Sequence, residues 1–106
     1  MTDEALVGIL ETTEFDIAYS DFKEKPEPPF IAYILIESVN FVADNEIYAK
    51  IGKYRVELYT ETKDEIAQGK IESAFSENEI IYNKDESYLD GENLFVTMYD
   101  IELLIS

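Results

Sequence analysis

The chain has 106 residues and a formal net charge of −16, from 24 Asp and Glu against eight Lys and Arg, with no histidine and no cysteine. Its 46% apolar and 13% aromatic content is far from the signature of disorder, and the length suits one folded domain over residues 1–106. The missing residue types exclude disulfides, thiolate metal sites and the commonest general bases, while the acid excess opposes nucleic-acid phosphates.

The start MTDEALVGIL is acidic where a signal peptide needs positive charge, which argues against secretion. No run of about 18 apolar residues marks a membrane helix, so no membrane partner is expected. Ala5, Leu6, Ile9 and Leu10 recur at helical spacing and predict a helix over residues 2–13. Thr2 can cap it, and Asp3 and Glu4 oppose its N-terminal dipole, while Gly8 weakens it. Phe15, Ile17 and Tyr19 alternate as a short strand or apolar link.

Residues 20–29, SDFKEKPEPP, carry three prolines among alternating charges and predict an exposed, extended loop. FIAYILIESV, residues 30–39, is apolar on both faces until Glu37 and reads as a central strand. A turn-rich stretch around Asn40, Asp44 and Asn45 follows. Ile47, Ala49 and Ile51 then alternate in a second strand, and Tyr54, Val56 and Leu58 in a third. Gly52-Lys53 between them suits a type II′ hairpin turn.

Thr62 and Glu65 have the spacing of a capping box, opening a helix with Ile66, Ala67, Ile71, Ala74 and Phe75 on one side and its end near Ser76. Two strands complete the chain over residues 78–89 and 92–105, with Asp90-Gly91 as the hairpin signal. The order predicts an α+β domain: a mostly antiparallel sheet packed with two helices.

Chemistry is thinly represented. Carboxylate pairs arise by chance among 24 acids, and a small sheet offers little room for a sugar cleft, so no catalytic residue is assigned. Asp44-Asn45-Glu46 lacks the calcium-loop pattern and could at most hold a divalent cation weakly. The four glycines are scattered and form no phosphate loop, so neither metal nor cofactor is expected. Tyr33, Tyr48, Tyr54, Tyr59, Tyr82, Tyr88 and Tyr99 fall on the predicted strands or at their ends. Most fit a core role; those facing away from the helices would suit a protein interface.

Four stretches together resemble a family, the tail terminator or tail completion (head–tail joining) proteins of long-tailed bacteriophages and prophages of Gram-positive bacteria. They are PFIAY (29–33), NFVADNEIY (40–48), YRVELYTETKD (54–64) and, more loosely, LFVTMYDIE (94–102). The resemblance implies a non-enzymatic, tail-terminator-like virion subunit, made in the host cytoplasm, that assembles as a ring, expected to be hexameric. It would cap the tail tube and meet the head connector, with itself, the tail-tube protein and neck proteins as partners. Gly69 departs from the family pattern inside the second helix. Within this reading Phe22, Lys23 and Lys25 are the candidate contacts of the proline-rich loop, and Asp44 and Glu46 candidate acidic lining of a channel that passes DNA. The alternative is an acidic DNA mimic that inhibits a DNA-binding enzyme; against it, the acids are spread along the chain and do not form one helical stripe.

Overall fold

A computed structural model describes residues 2–19, 26–43 and 46–104. In chain order these form α1 (Thr2–Glu11), β1 (Asp16–Tyr19), β2 (Phe30–Ala43), β3 (Glu46–Thr60), α2 (Glu65–Glu77), β4 (Tyr82–Leu89) and β5 (Leu94–Leu104). The strands make one sheet in the order β1-β2-β3-β5-β4. The β1/β2 pair is parallel and every other pair antiparallel. The domain is therefore α+β with a mostly antiparallel sheet and two helices, as the pattern predicts.

Alternation along β3 and β5 puts Tyr54, Val56 and Leu58 beside Ile101, Tyr99 and Thr97 on one face. Both helices cover that face: Leu6 and Leu10 of α1 and Ile71 and Phe75 of α2 share a buried cluster with Ile31, Tyr54, Val56, Leu58, Tyr99 and Ile101. The opposite face carries no helix among the described residues.

Helix ends are fixed by local chemistry. α1 stops at Glu11, two residues short of the predicted end, where the hydroxyls of Thr12 and Thr13 donate to the Ile9 and Leu10 carbonyls. The cap of α2 is Asp64, whose carboxylate accepts from the Ala67 amide at 3.0 Å. Thr62 is thus not the N-cap. Its carbonyl accepts the Thr60 hydroxyl at 2.6 Å and holds the strand-to-helix link. At the far end Glu79 takes φ 56°, which lets the Ile80 amide return to the Phe75 carbonyl at 2.8 Å.

Several expectations are corrected. β3 is one strand of 15 residues; Gly52-Lys53 forms no turn, because Gly52 pairs with Ser38 on one side and Leu103 on the other. The shift of apolar parity from Ile51 to Tyr54 marks a change of face, not of direction. Beyond the helices, the side of the strand they had covered no longer favours apolar residues. β2 is an interior strand, between β1 and β3, with β3 at the middle of the order, and it runs on through Asn40 to Ala43 where a turn was expected. Ile66 lies 78% exposed, and Gln68 takes the buried place on α2 instead. Asp90-Gly91 does lie in the β4–β5 hairpin. The link there spans four residues, and the left-handed position falls on Asn93 at φ 53°.

Candidate functional site

The sheet extends past its helices as a two-stranded ribbon. Among the described residues β5 last pairs with β3 at Leu104↔Ile51, whereas β2 and β3 continue to Ala43↔Glu46. The longest dimension is 51 Å, close to the reach of β3 alone at roughly 3.3 Å per residue. A bulge leaves Ile36 unpaired between Leu35↔Tyr54 and Glu37↔Lys53, turning its side chain out to 57% exposure. Val42, further along, is 61% exposed.

Among the described residues β1 covers the outer edge of β2 as far as Tyr19↔Tyr33. One step further the Leu35 amide donates to the Tyr19 hydroxyl at 3.4 Å. From Glu37 to Ala43 no described strand lies along that edge. This explains why residues 30–39 read as central: Phe30, Ile31, Ala32 and Tyr33 are buried, whereas Leu35, Ile36 and Glu37 are exposed.

On the helix-free face the register builds alternating bands. Phe30 stacks on Tyr59 with centroids 4.8 Å apart, next to buried Ala32 and Val96. An ion-pair band follows, with Arg55 Nε 3.0 Å from Asp100 Oδ1 and Lys53 Nζ 3.8 Å from both Glu37 and Glu102. The Asp100 hydrogen bond and charge raise the Arg55 pKa further. A groove of about 600 Å³ runs over this band between the exposed side chains of Ile36 and Ile81.

A polar network joins α2 to β4 and β5 on the helix-covered face. Gln68 Nε2 donates to Thr97 Oγ1 at 2.9 Å and to Glu86 at 2.7 Å, and Lys84 Nζ donates to Gln68 Oε1 at 3.0 Å. Glu72 accepts three donors: Lys84 at 2.7 Å, Tyr99 at 2.8 Å and Tyr82 at 3.2 Å. Partial burial pushes the Glu72 carboxyl up, but the Lys84 and Tyr99 hydrogen bonds outweigh it, and the pKa falls below its ordinary value. Hydrogen bonds from Gln68 and Lys63 lower Glu86 likewise. Burial followed by the neighbouring Glu72 raises Tyr82 and Tyr99, and burial beside Glu57 pushes Tyr59 up to about 12. A carboxylate held ionised by three donors, beside phenols held protonated, fastens a helix to a sheet; it is poorly suited to take a proton at neutral pH.

The sequence-derived residues divide plainly. Phe22, Lys23, Lys25 and Asp44 lie outside the described residues. Glu46 is the exposed first residue of β3, opposite Ala43 at the tip of the ribbon. Among the described residues no three acidic side chains gather as a metal site. Tyr33, Tyr54 and Tyr99 are buried under the helices and Tyr82 packs against Phe75 and Tyr99. Among the described side chains the tyrosines therefore serve chiefly the core, while Tyr59, stacked on Phe30, faces the helix-free side at mid-sheet; the Tyr48 side chain lies outside the described ones. Sequence reasoning missed the Gln68–Glu72–Lys84 network. Its signal was a Gln and a Glu four residues apart on the apolar side of a predicted helix. No family model matches the chain, and no curated protein matches it in sequence.

Proposed function

We propose that this protein is a non-enzymatic assembly subunit of the head–tail junction of a long-tailed phage, acting as a ring that caps the tail tube and meets the head connector. The observation that carries the reading is the β2–β3 ribbon. A two-stranded extension with Val42 exposed along it, and Ile36 exposed at the bulge that precedes it, has few neighbours among the described residues and suits a body that gains them by assembly. The resemblance in residues 29–33, 40–48, 54–64 and 94–102 supplies the kind of assembly. In this reading Phe22, Lys23 and Lys25 contact a neighbour. Glu46, at the ribbon tip, and Asp44 face the DNA channel, where acids keep the duplex from adhering.

Mixing the chain with the tail-tube protein of its own phage and viewing the product by negative-stain electron microscopy tests the proposal. Tubes of defined length closed at one end by a ring of this chain are expected. Tubes that grow unchanged, with the chain left free in solution, would refute it.

A further inference from the structure

We propose that the groove between Ile36 and Ile81 docks an extended segment of a partner protein in which one Arg or Lys lies between two apolar residues. Two local irregularities aim these isoleucines. The β2 bulge leaves Ile36 unpaired and exposed, the re-aiming that bulges provide. At the other wall Ile80 is drawn into the core as its amide returns to the Phe75 carbonyl, and Ile81, next in the chain, stands 88% exposed. The register brings both to one level of the sheet: Glu37 pairs with Lys53 and Lys53 with Glu102, while β4 begins at Tyr82↔Ile101. Every residue that lines the groove is among the described ones. Two large apolar side chains held in water at the ends of one groove of about 600 Å³ form a surface that gains by being covered.

Spacing and charge select the occupant. β2 and β4 are three strand intervals apart in the sheet order, so at about 4.8 Å each the two isoleucines stand roughly 14 Å apart. An extended chain covers that distance in about four residue steps, and its side chains at i, i+2 and i+4 point the same way. The outer two then pack on Ile36 and Ile81, and the middle one meets the floor. That floor is short of cations. Arg55 is taken by Asp100 at 3.0 Å, and Lys53 is shared at 3.8 Å between Glu37 and Glu102. Exposed Glu79 adds a further acid to the lining. One cationic side chain at the middle position meets this deficit, whereas an acid, or a second copy of a chain of −16, adds to the repulsion.

The docking goes beyond the ring reading and stands whether or not the chain forms a ring. The peptide Leu-Ser-Arg-Ser-Leu with both ends capped, titrated into the isotope-labelled chain and followed by NMR amide shifts, tests it. Shifts are expected around residues 36, 53–55, 79–83 and 100–102, with affinity rising as salt is lowered. Ser-Leu-Arg-Leu-Ser has the same charge and composition but turns its leucines to the side away from the arginine. It should bind about tenfold more weakly or worse, as should Leu-Ser-Glu-Ser-Leu. The variant Ile36→Ser/Ile81→Ser removes both exposed walls and should weaken the first peptide about tenfold while melting near the parent. Absence of shifts at millimolar peptide, equal binding of all three peptides, or binding indifferent to the double substitution overturns the docking. So does self-association of the free chain that the double substitution abolishes, since a second copy is then the occupant.

Discussion

Replacing Tyr99 by Phe removes one oxygen from the point where α2 is fastened to the sheet. The Tyr99 ring is fully buried, between Phe75 and Tyr82 at 5.6 and 5.3 Å, so the substitution leaves the packing in place. What it deletes is a donor 2.8 Å from Glu72 Oε2. A hydrogen bond to a charged group contributes roughly 1.5–3 kcal/mol. Glu72 keeps Lys84 and Tyr82 as donors, and its side chain is 26% exposed, so water can replace part of the loss. The expected cost is about 1–2 kcal/mol, or roughly 5–10 °C in melting temperature for a domain of this size. Thermal melting followed by circular dichroism at neutral pH measures it. The pH dependence supplies a second check. The folded-state pKa of Glu72 is depressed, so its contribution is complete above its ordinary value near 4.5 and is lost as pH falls through the lower folded value. The gap between parent and variant should therefore narrow in acid. A variant that melts like the parent at neutral pH, or a gap that persists unchanged in acid, would show that the Glu72 carboxylate does not fasten the helix.

Two further substitutions test how α2 is built. Asp64→Ala should cost about 1 kcal/mol by removing the N-cap, whereas Thr62→Ala, which keeps the carbonyl that accepts from Thr60, should cost much less; urea unfolding separates them. Gly69→Ala should stabilise by about 1 kcal/mol, since an added Cβ meets nothing within 4 Å and helical glycine is entropically expensive; an unchanged or lower urea midpoint would mean that this face of α2 is already engaged.

The amino-acid sequence by itself determined what local chemistry governs. The order of elements apart from one strand, the sites of both helices and the β4–β5 hairpin follow from periodicity and turn residues acting within a few positions. The Thr62–Glu65 junction was legible as a helix start. Choosing Asp64 over Thr62 required the tertiary structure, in which Asp64 has the extended φ and ψ from which its side chain reaches the Ala67 amide. The single β3 strand was not legible. Its apolar residues change parity at Gly52, and a change of face and a reversal of direction leave the same trace in one dimension. The site depended still more on tertiary structure. Nothing in FIAYILIESV tells that β1 pairs with its first four residues, or that the same run is buried at Tyr33 and open at Ile36. Glu72 and Lys84 likewise look like two more surface charges until the fold brings them together between α2 and the sheet, with Tyr99 donating to the same carboxylate. Edges, faces and buried charge partners are relations between segments far apart in the chain, and pairing between strands is what creates them.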